Sequence, residues 1–161
     1  GGTGKTRLIE NFVEHSIKMN IKTQVCALTG CATILLPKMC NARTLHSWSG
    51  IRLCKGENKK IVETAIKNKK IKSAWKTVRI LIIDEVSMMS LKILLLINDI
   101  AKTFYKSDKP FGGIQVIFTG DFYQLSPVYN NEIEKEAMMF CFQHELWNQL
   151  FPKENQIVLK T

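Results

Sequence analysis

Val78-Arg79-Ile80-Leu81-Ile82-Ile83-Asp84-Glu85 is a near-continuous apolar run that ends on two adjacent carboxylates. A strand that does not alternate polar and apolar residues is buried on both faces, as in a parallel sheet covered by helices. The same construction recurs at Ile114 to Thr119, entered through Pro110, Gly112 and Gly113 and left through Gly120-Asp121. Ligands of open α/β sheets bind outside the carboxyl ends of the strands, so both acidic turns point to a site there.

Working outward, Gly1-Gly2-Thr3-Gly4-Lys5-Thr6 reads as the back half of the phosphate-binding pattern G-x-x-x-x-G-K-S/T. In that pattern backbone N–H groups cradle phosphates, the lysine reaches the terminal phosphates and the hydroxyl ligates magnesium. The first glycine and the strand feeding the loop are expected before Gly1. Lys5 to Met19 reads as a helix with Leu8, Ile9, Phe12, Val13 and Ile17 at helical spacing. A strand is expected at Thr23 to Leu28, a helix from Ala32 to Met39, an extended stretch from Thr44 to Ile51, and broken helix from Lys59 to Lys76. Ser90 suits the cap of a helix whose apolar side holds Leu91, Leu94, Leu95, Ile100 and Phe104. A helix near His144 to Leu150 and a strand at Gln156 to Leu159 close the chain. Strands alternating with helices of this length predict an α/β fold, a parallel sheet with helices on both faces.

The chemistry follows from where the motifs fall. Asp84 at a strand end can hold the magnesium that Thr6 also touches, and Glu85 can orient or deprotonate an attacking water. The plain alternative is an acidic pair that merely ends a strand. Gln124 carries an amide able to donate and accept, suited to reading a terminal phosphate; a polar turn is the alternative. His46 sits among hydroxyl residues and can contact a nucleic-acid backbone or be a core histidine. Trp48 can offer a stacking face to a base or belong to the core.

Bulk properties exclude several classes. The chain has 161 residues, enough for one domain with a sizeable core. Five cysteines without a C-x-x-C pair argue against zinc or disulfide frameworks and fit buried or inert thiols in a reducing compartment. No apolar run is long enough to span a bilayer. The net charge is +9, and residues 52–79 hold ten Lys/Arg against two Asp/Glu. Such a segment attracts a phosphate backbone, or is a solvated insertion in a chain with 19 lysines and 4 arginines.

Four segments together resemble superfamily-one DNA helicases of the petite-integration-frequency (PIF) type, with RecD-like helicases as near relatives. They are Gly1 to Thr6; Thr29-Gly30-Cys31-Ala32 running to Thr44-Leu45-His46-Ser47-Trp48-Ser49-Gly50-Ile51; Ile82 to Met88; and Pro110 to Gln115 through Gly120-Asp121-Phe122 to Gln124-Leu125-Ser126-Pro127-Val128. The resemblance implies a RecA-like P-loop NTPase domain with its first strand missing. Residues 1–161 would be a partial N-terminal motor domain, truncated at both ends. It implies ATP and Mg2+ as cofactors and five-prime to three-prime unwinding of duplex DNA with translocation on single-stranded DNA. The expected settings are DNA repair, recombination and telomere maintenance.

Residue by residue, Gly2, Thr3, Gly4, Lys5 and Thr6 would bind nucleotide, Thr6 and Asp84 magnesium. Glu85, Lys5 and Gln124 would be catalytic, while Thr29, Gly30, Thr44, His46 and Ser47 would line the DNA path. The partners would be single-stranded and duplex DNA and a second RecA-like domain, with no membrane. The compartment would be intracellular: nucleus or mitochondrion in a eukaryote, or a viral setting. Thr33 after Ala32, Asn41-Ala42 before the Thr-Leu-His-Ser stretch, and Ser126 in place of a proline depart from the pattern and mark a divergent member. With the arginine finger expected beyond Thr161, worth ~10³ or more in rate, the fragment alone should be nearly inactive. A RecD-like subunit of a recombination nuclease would share the same four motifs; a non-catalytic nucleotide-dependent DNA-binding module is the other alternative, against which the intact Glu85 argues.

Overall fold

The computed structural model describes residues 4–127 and 135–160. Four parallel strands form one sheet in the order β2-β1-β3-β4: β1 Thr23–Ala27, β2 Arg43–Thr44, β3 Ile80–Asp84 and β4 Gln115–Phe118. All five residues of β3 are buried, which explains its unalternating sequence.

Helices cover both faces because each strand sends alternate side chains to opposite sides. Val25, Ile80 and Ile82 meet Ile9 and Val13 of α1 (Lys5–Lys18) on one face. Cys26, Leu81 and Ile83 face the larger core on the other. That core is built around α6 (Leu91–Tyr105), which buries ten of its 15 residues and so is apolar nearly all round. Ser90 caps α6 by accepting from the Ile93 N–H, as its position suggests. Asn98 is buried in α6 and its side-chain oxygen accepts from the Phe111 N–H at 2.9 Å, which aims the turn leading into β4. Gly112 makes that approach possible: at φ 62°, a Cβ there would meet the Ala101 carbonyl at 2.7 Å.

The basic segment forms two helices, α4 (Asn58–Lys67) and α5 (Lys69–Thr77), with Asn68 capping the second through its side chain. Their inward positions Ile61, Val62, Ala65, Ile66, Ile71, Ala74 and Trp75 join the larger core, leaving the lysines outside. Trp75 is fully buried, packs at 4.6 Å on Trp48, and donates its Nε1–H to the Ser49 carbonyl at 3.1 Å.

Several expectations are corrected. Leu45–Ser49 is a short helix, α3, rather than an extended stretch; only Arg43–Thr44 is strand. Trp48, at 2 % exposure, is core and offers no face to a base. The helix expected over Ala32 to Met39 is α2 (Gly30–Leu35), and Pro37 separates it from a 3-10 turn at Lys38–Cys40. Gln156 to Leu159 forms no strand; Ile157 and Val158 are 85 % and 79 % exposed, and among the described residues no strand pairs with them. On α1, Leu8, Phe12 and Ile17 are exposed, so the buried stripe is Ile9, Val13 and Ser16. The helix near His144 is Glu145–Leu150, whose first turn donates the Leu146 N–H to His144 Nδ1 at 3.1 Å. No helix among the described residues is long and apolar enough to cross a membrane.

Candidate functional site

The strand register assembles the site. Thr44 pairs with Ala27 and Ala27 with Asp84, while Ile83 pairs with Phe118 one residue before Thr119. One row across the carboxyl edge of the sheet therefore carries Thr44, Ala27, Asp84 and Thr119. Asp84 is 7 % exposed, and the Thr119 hydroxyl donates to its Oδ1. A carboxylate this buried needs such a donor, because desolvation without a hydrogen bond is costly.

Glu85 follows in the left-handed region at φ 58°, a conformation rare for a side-chain-bearing residue. It turns the chain into a 3-10 turn at Val86–Met88. The turn is held from the neighbouring strand: the Val86 N–H donates to the Thr119 carbonyl at 3.1 Å and the Thr119 N–H to the Ile83 carbonyl at 2.9 Å. It is also held from the far side, where Cys141 N–H donates to the Met89 carbonyl and Leu91 N–H to the Met139 carbonyl. Burial pushes the Cys141 thiol up to about 12 and raises that of Cys26, so neither is a thiolate near neutral pH.

Thr6, Asp84 and Glu85 line one cleft with Ala32, Leu35 and Leu36, a volume of about 80 Å³. Small-molecule sites usually occupy ~300 to 1,000 Å³. The cleft is smaller than that, so a ligand of ordinary size would extend from it. Gly4, at φ 83°, starts α1 and places Lys5 on its first residue, half-buried. Gly2 and Thr3 lie outside the described residues.

Thr29 accepts from the Ala32 N–H at 3.1 Å as the cap of α2, with Gly30 next to it. Thr44 ends β2, and His46 and Ser47 follow on α3. The expected DNA-lining residues thus share the carboxyl edge with Asp84. Burial holds the His46 imidazole below its ordinary value, favouring the neutral ring. Gln124 is exposed on the turn after β4, its N–H bonded to the Asp121 carbonyl at 3.0 Å, and it does not line the cleft. Thr119, Leu35 and Leu36 were not among the expected site residues, and Ala32 was quoted only as part of the Thr29-Gly30-Cys31-Ala32 segment; for Thr119 the available signal was a hydroxyl one residue before Gly120-Asp121 at a strand end.

The donors that converge are oxygens, one hydroxyl and two carboxylates. Among the described residues no group of three His, Cys, Asp or Glu could cage a metal ion. That donor set fits magnesium, which keeps waters and takes one or two protein oxygens together with substrate phosphates.

A parallel sheet with a Gly-Lys-Thr helix start and an acidic strand end facing each other defines an α/β nucleotide-site domain. The profile of the PIF1-like helicases matches residues 1–158. By that match the chain belongs to the PIF1-like helicase family. It is 34 % identical over 154 residues to the ATP-dependent DNA helicase RRM3 of Saccharomyces cerevisiae, covering 94 % of this chain and 21 % of that protein. The fold superposes on the crystal structure of the Pif1 helicase of Candida albicans with a TM-score of 0.78 at 35 % identity, covering 93 % of this chain and 32 % of that one. The Bacteroides Pif1 helicase in complex with ADP-AlF3 and ssDNA superposes with a TM-score of 0.69 at 33 % identity, over 90 % of this chain and 33 % of that one. These helicase structures confirm the RecA-like α/β architecture. The chain spans about a fifth of the length of the RRM3 relative.

Proposed function

We propose that this chain forms most of the first RecA-like motor domain of an ATP-dependent DNA helicase. The observation that carries the reading is the cleft in which Thr6, Asp84 and Glu85 meet beneath the carboxyl edge of the sheet. Support comes from the named activity of the relatives and from the ADP-AlF3 and ssDNA bound by the Bacteroides protein.

In this reading Lys5, with the backbone of Gly2, Thr3 and Gly4, neutralises the terminal phosphates, and Thr6 and Asp84 would hold the magnesium. The ion would supply charge neutralisation across the phosphates. Glu85, set beside Asp84 by its left-handed backbone, orients the attacking water and accepts its proton. Gln124 stands on the turn that continues from the Thr119 end of the row, where a change of phosphate state reaches it through Gly120-Asp121. Thr29, Gly30, Thr44, His46 and Ser47 form one rim along which a single strand would lie. Translocation, five-prime to three-prime, needs a second RecA-like domain to close on the open side of the cleft. Duplex DNA is the substrate of the whole machine, in an intracellular compartment that holds DNA.

The test is ATP hydrolysis by the protein extended to the length of its relatives, with and without single-stranded DNA, beside Glu85→Gln. DNA-stimulated turnover abolished by the substitution is expected. Absence of stimulation together with an unaffected variant would refute the motor reading.

A further inference from the structure

Thr119 spends all three of its polar groups on the acidic turn. Its N–H donates to the Ile83 carbonyl, its carbonyl accepts from the Val86 N–H, and its hydroxyl donates to Asp84 Oδ1. The two backbone bonds straddle Asp84 and fix where the hydroxyl lies, and a β-branched side chain has few rotamers with which to leave it. Among the described residues no second donor reaches the Asp84 carboxylate.

We propose that Thr119 is a positioning residue for the cation-holding carboxylate. By occupying Oδ1 it leaves Oδ2 for the cleft shared by Thr6 and Glu85, and so sets the magnesium affinity of the bound nucleotide. The inference rests on the reading of Asp84 as the magnesium carboxylate. Groups that orient a metal ligand in this way are worth roughly 10- to 100-fold in metal affinity. Thr119 also begins the segment through Gly120-Asp121 to Gln124, so displacement of that segment is felt at the carboxylate.

The experiment uses the protein at the length of its relatives and compares Thr119→Val, Thr119→Ser and Asp84→Asn. Fluorescent ADP is titrated at a series of Mg2+ concentrations and in EDTA. Thr119→Val should raise the Mg2+ concentration for half-maximal tightening about 10- to 100-fold, with the affinity in EDTA unchanged, and Thr119→Ser should restore most of the loss. If Asp84→Asn shifts the Mg2+ dependence and Thr119→Val does not, the positioning role is wrong while the reading of Asp84 stands. If neither shifts it, that reading fails and takes the inference with it. Equal loss of affinity in EDTA and in Mg2+ for Thr119→Val, unrescued by serine, would reduce Thr119 to a fold residue and overturn the proposal.

Discussion

Gly120 lies so close to Val86 that a methyl group does not fit between them: a Cβ on Gly120 would stand 2.9 Å from the Val86 nitrogen and 3.0 Å from its Cγ2. The obstacle is backbone, which cannot swing away as the end of a flexible side chain can. Gly120→Ala must therefore push the turn carrying Glu85. Overpacking of this kind costs ~1 to 3 kcal/mol, and a misplacement of ~1 Å at a reacting group costs ~10²-fold in rate. We expect single-turnover ATP hydrolysis in the extended protein to fall more than about tenfold, with nucleotide affinity in EDTA retained.

The two buried tryptophans fasten α5 to α3. Trp75→Phe keeps one aromatic ring but removes the indole donor and part of the ring volume, leaving the carbonyl of the fully buried Ser49 without that donor. That loss is worth ~1 to 3 kcal/mol; Trp75→Ala adds a cavity and should cost ~3 to 5 kcal/mol. Urea unfolding followed by far-UV circular dichroism separates the two variants, and equal midpoints for Trp75→Phe and the parent would remove the hydrogen bond from the account.

Lys69, Lys70 and Lys72 are exposed on α5, which carries no carboxylate of its own. Through Trp75 and Trp48 that helix packs on α3, which bears His46 and Ser47. Replacing the three lysines by glutamate should weaken DNA binding and flatten its salt dependence, by about 0.9 in log–log slope for each phosphate that is no longer neutralised. An unchanged slope would make the face a solvated one.

Burial lowers the pKa of His46 from 6.5, so the folded protein binds this proton less readily than the unfolded chain. Stability from the neutral ring is complete above the unfolded value. It is lost as pH falls below 6.5 towards the folded value. Thermal unfolding at pH 7.5 and 5.5 should show a larger drop for the parent than for His46→Gln. Identical drops would place the pH sensitivity elsewhere.

The centre of the sheet was legible because burial on both faces leaves a strand no polar positions, as in Ile80–Asp84. The converging site residues were legible because each follows a strand or opens a helix at one edge. The stretch from Leu45 to Ser49 was not: five residues are too few to show a helical period, and what holds them is Trp48 packed against the distant Trp75. Gln156 to Leu159 misled for the opposite reason, since its residues favour a strand but no strand among the described residues pairs with it. Thr119 escaped notice because a threonine ending a strand is unremarkable until the register sets it against Asp84.

That register has a consequence for how the chain can vary in length. Thr44, Ala27, Asp84 and Thr119 are neighbours only because four strands run in step, and a one-residue slip in any of them turns its side chains to the opposite face. The strands act as a fixed gauge block, so a residue gained or lost between them has to be absorbed by the connections. Change in length is thus taken up outside the strands, while the spacing that brings hydroxyl to carboxylate stays the same.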